Sequence, residues 1–436
     1  QAVECAGLAL VGMLFPEFKE AAAWRETGFR WLSDHMARDV YDDGTHWEVT
    51  PGYHGWVAER FTVAWRLAQL NGVDTPEGFT AKLHGMYRFD LRVVTPTGHG
   101  PMNGDCGRYS LRSRMAVGAL LFDDPELRFA AAGDALPLNA FWLFGEDAFA
   151  RYEAMPAREP AFAAVITPDS GYAIMRTGWD SDAAYFFFDL VPYGGGHSHP
   201  DQLSFELQKG GAILLGDSGR ANYNHPLHGG YFRTPEAHNV CSVDGRFAAP
   251  DVSPERLEWT EREDWLTARG RVPITLESGD EVTWERGILW IRPDTWVIRD
   301  LFRGGGVHTV ERWFNHAPPY PGNVPEEDAR QKLGIPMDPG ECIAVVDGER
   351  RLEPGWFGIS ASTRYDTEST VVTSRVEFPA TLRCVVRARA GGAAPAARDV
   401  SPTSLEIALP DSGGAWRWSW PDGAGTSRVE RRAHTE

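Results

Sequence analysis

Two histidines one residue apart, His197 and His199, follow three glycines and precede an alternating apolar run of Leu203, Phe205 and Leu207. A glycine-rich loop entering a strand lets backbone or substrate come close, while the strand holds the neighbouring side chains still. In an extended segment side chains at i and i+2 share a face, so both imidazoles are expected to serve one cleft. Asp217 ends the next apolar run, and His238 follows in Pro-Glu-Ala-His-Asn. Histidine and carboxylate brought together on adjacent strands form a donor set suited to zinc. The histidine left over is suited to proton transfer.

The elements that must position these groups change character along the chain. Its 436 residues suffice for two or three domains with cores of their own. Apolar periodicity predicts helices over 2–14, 17–38, 54–71 and 76–93, then a Gly-rich loop at 97–109 and a return to helix over 111–150. From about residue 158 short β-branched or aromatic runs replace them, separated by Gly, Pro, Asp and Asn. Expected strands include 172–175, 184–190, 203–207, 212–215, 240–243, 259–267, 283–291, 296–301 and 307–314, with more to the end. The fold class is therefore α+β and multidomain: stacked helical hairpins of toroid or solenoid type over 1–155, then a large antiparallel β-sandwich region over 156–436. The Pro/Gly/Ala-rich runs 318–341 and 390–402 read as loops, with a sub-boundary near 318–341.

Charge and composition narrow the partners. A formal charge of −18 argues against nucleic acid, yet leaves room for an anionic ligand in a local Arg/His pocket. The 17 Trp, 12 Tyr and 22 Phe suit either carbohydrate-handling surfaces or a large β core. Five cysteines without CxxC spacing imply neither a disulfide framework nor a cysteine metal site. No apolar run is long enough for a membrane span.

Three stretches, taken together and in this order, resemble the heparinase II/III-like polysaccharide lyases, which include alginate lyases. They are Tyr41-Asp-Asp-Gly-Thr-His-Trp-Glu48 running on to Tyr53-His54; His197-Ser-His199-Pro-Asp201 followed by Leu-Leu-Gly-Asp217-Ser-Gly and Tyr223; and Tyr231-Phe-Arg233 followed by His238-Asn239 and Val-Asp-Gly. The resemblance covers roughly residues 1–250. It implies a partial (α/α) toroid, an antiparallel β domain, an active cleft between them, and β-elimination at a uronic acid of alginate or a glycosaminoglycan. That chemistry must neutralise the uronate carboxylate, remove the C5 proton and protonate the departing O4. The resemblance makes Tyr53 the proton donor to the leaving group and in some substrates also the base. It makes His197 the opposing base or carboxylate holder, and His199, Asp217 and His238 the ligands of a structural zinc. It places His54, Glu48, Tyr223, Tyr231 and Arg233 as contacts to sugar or carboxylate, the partner being an acidic polysaccharide. It also implies a periplasmic or secreted location. In the family an Asn that neutralises the carboxylate precedes the helix that opens here at Gln1, so the resemblance implies an N-terminally truncated toroid.

Other readings of the same residues stand beside these. Glu48 is either a cleft acid or a first-turn helix acid. His99, Asn103 and Asp105 border the cleft or form a plain turn, and Arg108, Arg112 and Arg114 steer a polyanion or form a solvated face. A non-catalytic carbohydrate-binding protein could keep the same scaffold. A glycoside hydrolase would need two flanking carboxylates, for which only Glu48 and Asp105 offer themselves.

Overall fold

The computed structural model describes residues 2–133, 136–210, 212–317, 342–346, 348–388, 396–401, 403–409 and 414–433. The chain divides into two compact units. The first comprises 1–162, 167–170 and 194–198; the second holds 163–166, 171–193 and 199–436. Two short pieces from the β-rich part of the sequence thus belong to the helical unit, and one of them carries His197.

In the helical unit α1 (Ala2–Leu14) and α2 (Ala21–Asp39) form a close hairpin. Small residues allow it: a Cβ on Gly28 would lie 2.5 Å from the Ala9 nitrogen, and one on Gly12 would lie 2.4 Å from the Ala21 carbonyl oxygen. Next come α3 (Pro51–Leu70) and α4 (Phe79–Val93). Pro51 opens α3 where no intrahelical donor is needed, and Asn71-Gly72 ends it. The expected helix over 111–150 is instead four pieces: α5 (Arg112–Phe122), α6 (Pro125–Ala130), α7 (Asn139–Phe144) and α8 (Ala148–Ala154). Asp123 in the left-handed region ends α5. Asp124 then caps α6 by accepting from the backbone N–H groups of Glu126 and Leu127, with Pro125 at its first position.

Among the described residues, the β unit contains four antiparallel sheets. The first runs in order β1 (Ala164–Ile166), β2 (Tyr172–Arg176), β3 (Ala184–Asp189), β4 (Phe205–Lys209), β5 (Ala212–Leu215). Also present are β6 (Cys241–Val243), β7 (Glu255–Glu261), β8 (Trp265–Thr275), β9 (Glu281–Ile291), β10 (Thr295–Arg303) and β11 (Val307–Asn315). After them come β12 (Cys342–Val346), β13 (Glu349–Gly358), β14 (Arg364–Glu377) and β15 (Ala380–Ala388). The last four are β16 (Ala396–Ser401), β17 (Ser404–Leu409), β18 (Gly414–Ser419) and β19 (Arg428–Ala433). The second sheet is ordered β12-β15-β10-β9-β8-β7, the third β13-β14-β11-β6 and the fourth β16-β17-β18-β19.

Two expectations change here. The single strand expected over 259–267 is a hairpin, because the polar run Arg262-Glu263-Asp264 turns the chain and Arg262 N–H bonds to the Trp265 carbonyl at 2.8 Å. Within the expected loop 390–402, residues 396–401 form β16, paired with β17. The run 318–341 lies outside the described residues.

The central strands β9 and β10 of the six-stranded sheet are buried on both faces. Ile288, Trp290, Trp296 and Ile298 face one core shared with Phe186, Phe205, Val310 and Phe314. Leu289, Ile291 and Val297 face a second core with Leu405, Ile407, Trp416 and Trp418. Trp284, Trp290, Trp296 and Trp418 are fully buried, so much of the aromatic load serves packing.

Asn239 ties three strand ends together inside this unit. Its amide donates to the carbonyls of Phe205 at 2.6 Å and Gly216 at 3.2 Å, and its oxygen accepts from Asn315 N–H at 2.7 Å. Asn239→Ala strands those buried backbone groups and is expected to cost about 3 kcal/mol, read as a lower midpoint in denaturant. A midpoint equal to that of the parent would refute this role.

Candidate active site and metal centre

The turn before α3 brings the first set of groups together. Val49 adopts φ +44°, a conformation costly for a β-branched residue. Its carbonyl is held by the Asn103 side-chain amide at 3.2 Å, and Thr50 Oγ1 donates to the Glu48 carbonyl at 3.1 Å. Upstream, the buried Asp43 carboxylate accepts from the backbone N–H groups of Thr45, Asp169 and Ser170. Burial works against its ionisation, but these hydrogen bonds outweigh that and hold its pKa below the usual carboxylate value.

Against this turn lies the 194–198 loop. A Cβ on Gly194 would sit 2.3 Å from the Glu48 carbonyl oxygen, and one on Gly104 would sit 2.8 Å from that of His197. Glycine at both positions is a condition of the approach. Asp105 N–H donates to the His197 carbonyl at 2.9 Å. The loop carrying Asn103 and Asp105 is therefore a support for the site and more than a plain turn.

The result is a three-residue cluster. His197 Nδ1 lies 2.7 Å from Glu48 Oε2, and the Tyr53 ring stacks on the imidazole at 3.6 Å between centroids and 11° between planes. An ionised Glu48 accepts from Nδ1–H, which leaves the lone pair of His197 on Nε2. Both partners keep solvent access, with side-chain exposures of 31% for His197 and 21% for Glu48. Glu48 precedes α3, so it is not a first-turn helix acid. It is the hydrogen-bond partner of the imidazole at Nδ1.

His54, expected as a substrate contact, is fully buried. Its Nδ1 accepts from His46 N–H at 3.2 Å, and its Nε2 donates to the Met86 carbonyl at 3.0 Å. Desolvation lowers its pKa to about 4. Beside it, Arg114 makes a bidentate pair with the buried Asp90 at 2.5 and 2.6 Å. Arg114 is thus an interior anchor and not a solvated cation. Tyr231 is also buried, its hydroxyl 3.3 Å from Ser218 Oγ and its ring edge-on to Trp356, which makes it a packing residue. Tyr223 is exposed, with the Arg220 guanidinium 4.8 Å from its ring centre, and Arg233 is half-buried at the end of the helical turn His228–Phe232. Tyr223, Tyr231 and Arg233 belong to the β unit.

His197 and His199 do not act as a same-face pair. Gly195–His197 forms a single tight helical turn, and the two histidines fall in different units. In the β unit, Asp201, Asp217 and His238 bring one ligand atom each within 4.8 Å of one another, all buried. Asp217 accepts from Gly219 N–H at 2.7 Å and from His238 Nδ1 at 2.8 Å. That fixes His238 with its Nε2 lone pair unused by any hydrogen bond. Such a carboxylate–carboxylate–imidazole group could hold a metal. Asp201 joins Asp217 and His238 in this group, and His199, expected as a ligand, is buried beside it with its ring 5.2 Å from that of His238. The His-Ser-His-Pro-Asp run did contain Asp201, two residues beyond His199, which was the available signal.

The heparinase II/III N-terminal model matches residues 1–127, and the heparinase II/III-like C-terminal model matches residues 160–419. The chain belongs to the heparinase II/III-like family. A heparin-sulfate lyase of Bacteroides stercoris is 28% identical over 382 residues, covering 83% of this chain and 52% of that protein. One from Pedobacter heparinus is 28% identical over 211 residues, covering 48% and 29%. The chain thus spans about half or less of the length of these relatives. Among solved structures, heparan sulfate lyase HepC from Pedobacter heparinus aligns with TM-score 0.74 at 17% identity, covering 99% of this chain and 66% of that one. A heparinase III aligns equally well, with TM-score 0.74 at 18% identity over 99% and 65%. The helical region followed by antiparallel sheets is therefore the heparinase III fold.

Neutral burial of His54 makes this heparinase-family chain acid-sensitive. Below its ordinary value of 6.5 the unfolded chain binds a proton that the folded state refuses until about pH 4. Stability must then fall as pH drops through that window, by on the order of 3 kcal/mol from this group. Denaturant titrations at pH 7 and pH 4.5 are expected to show the loss, and His54→Gln should reduce it. An unchanged pH slope in that variant would assign the loss elsewhere.

Proposed function

We propose that this chain carries the proton-transfer groups of a polysaccharide lyase that cleaves a uronate-containing glycosaminoglycan of the heparan type by β-elimination. The observation that carries the reading is the Glu48–His197–Tyr53 cluster: a base oriented by a carboxylate, with a phenol stacked on it. His197 Nε2 takes the C5 proton of the uronate, and the electron pair forms the C4–C5 double bond as the C4–O4 bond breaks. Tyr53 donates its phenolic proton to the departing O4. The names of the relatives support heparan sulfate as the polymer. Alginate is the alternative within the same chemistry, and an extracytoplasmic location, periplasmic or secreted, follows from a polymeric substrate.

The hydrolase reading finds little support in the same geometry. Glu48 is engaged by His197, and Asp105 is 1% exposed, so neither is a free carboxylate flanking a bond. For the metal we take zinc, bound by Asp201, Asp217 and His238. It would stiffen the β unit and neutralise buried carboxylate charge, and no proton-transfer step passes through it.

With heparan sulfate, wild-type chain is expected to produce ultraviolet absorbance from the new conjugated double bond. Tyr53→Phe should lower kcat by at least about a hundredfold with an unchanged melting temperature. New reducing ends without absorbance would overturn the lyase reading in favour of hydrolysis, and full turnover by Tyr53→Phe would overturn the role of that residue. Metal analysis of purified protein should find about one zinc per chain, lost in Asp217→Ala together with several degrees of melting temperature. Equal zinc content in parent and variant would refute the site.

A further inference from the structure

The loop between α4 and α5 is enclosed, where connecting segments ordinarily run over the surface. Met102, Asn103, Asp105 and Cys106 are all buried. An antiparallel bridge between His99 and Ser110 closes the base of this loop, and Leu111 N–H donates to the Gly98 carbonyl at 2.8 Å. Enclosing irregular backbone is costly unless its polar groups find partners. At the tip, those partners lie on the two segments that meet in the Glu48–His197 pair.

Asp105 N–H donates to the His197 carbonyl at 2.9 Å, and Asn103 Nδ2 donates to the Val49 carbonyl at 3.2 Å. Between them Gly104 faces both segments: a Cβ there would lie 2.7 Å from Thr50 Oγ1 and 2.8 Å from the His197 carbonyl oxygen. Three consecutive residues thus span the gap between the turn that presents Glu48 and the loop that presents His197. Of these contacts only that of Asn103 runs through a side chain, and the residue it holds is the strained one. Val49 stays at φ +44°, a conformation that a β-branched residue leaves when nothing holds it. Relaxation of that turn would carry the neighbouring Glu48 carboxylate away from His197 Nδ1, now 2.7 Å distant.

We propose that Asn103 is a positioning residue for proton abstraction: its hold on Val49 fixes where Glu48 meets His197, and so which imidazole nitrogen offers its lone pair to the substrate. It acts on the reaction through that pair. The inference rests on the lyase reading.

The test compares the parent chain with Asn103→Leu, which keeps the shape but loses the donor, and with the smaller Asn103→Ser, whose hydroxyl falls short of the carbonyl. Turnover of heparan sulfate is followed by ultraviolet absorbance. The tautomer of His197 is followed by nitrogen NMR of histidine-labelled protein at alkaline pH, with His197→Gln assigning the signal. In both variants kcat should fall about tenfold while KM stays within twofold, as a small misplacement of a proton-transfer pair requires. The His197 ring should pass from the Nδ1–H form toward the Nε2–H form that an unrestrained neutral imidazole prefers. An unchanged kcat, a rise in KM alone or an unchanged tautomer would overturn the positioning role. A lower melting temperature with kcat and tautomer preserved would do the same and leave Asn103 a structural residue. If the parent makes no ultraviolet product and the tautomer still shifts, the lyase reading fails while the hold of Asn103 on the Glu48–His197 pair stands.

Discussion

The contact between His197 and Glu48 joins residues 149 positions apart, and the local structure of the helical unit is arranged around making it. An imidazole beside an ionised carboxylate has one tautomer, one orientation and one free lone pair. To create that contact the chain accepts a strained Val49, two glycines where no Cβ fits, and an Asp105 N–H committed to the His197 carbonyl. Each of these features is unfavourable or neutral by itself. Their concentration within a few residues of one ion pair is the pattern expected where geometry is held for chemistry.

Behind the pair, the buried polar groups His54, Asp90 and Arg114 of the helical unit each have a partner. His54 bridges the backbone of the Glu48-bearing turn to α4 through His46 N–H and the Met86 carbonyl. Asp90 and Arg114 neutralise each other next to it. An apolar residue at 54 would pack, but it would leave both backbone groups unpaired in the interior, which costs more than the burial gains. The β unit solves a parallel problem with Arg286, which pairs with Asp300 while also donating to the carbonyls of Leu203 and Asn239. A buried ion pair of this sort contributes more to fixing one arrangement of strand ends than to net stability.

Much of this was legible in the sequence because periodicity reports burial. Helical spacing located α1 to α4 to within a few residues, and alternating or continuous apolar runs located most strands. The 259–267 hairpin was missed because a polar tripeptide between aromatic strands carries no glycine or proline to mark the turn. The broken 111–150 region was misread because Asp123-Asp124-Pro125 both ends one helix and caps the next, which a periodicity argument averages over. At the site, the residue types were legible but their partners were not. Glu48 and Asp201 owe their roles to tertiary approach, and no spacing along the chain encodes that.

The paired histidines show how one motif comes to serve two purposes. A strand from 194 to 201 would have aimed His197 and His199 at the same target. The tight turn at Gly195–His197 removes that equivalence, since Gly195 adopts φ +83° and Ser198 only then returns to extended backbone. One imidazole is thereby given to Glu48 and Tyr53, while the following residues join the β unit that gathers Asp201, Asp217 and His238. Separation has a chemical logic. A base must offer its lone pair to a carbon acid, and an imidazole whose lone pair is taken by a cation cannot do so. The glycines that permit the turn are what make the division possible.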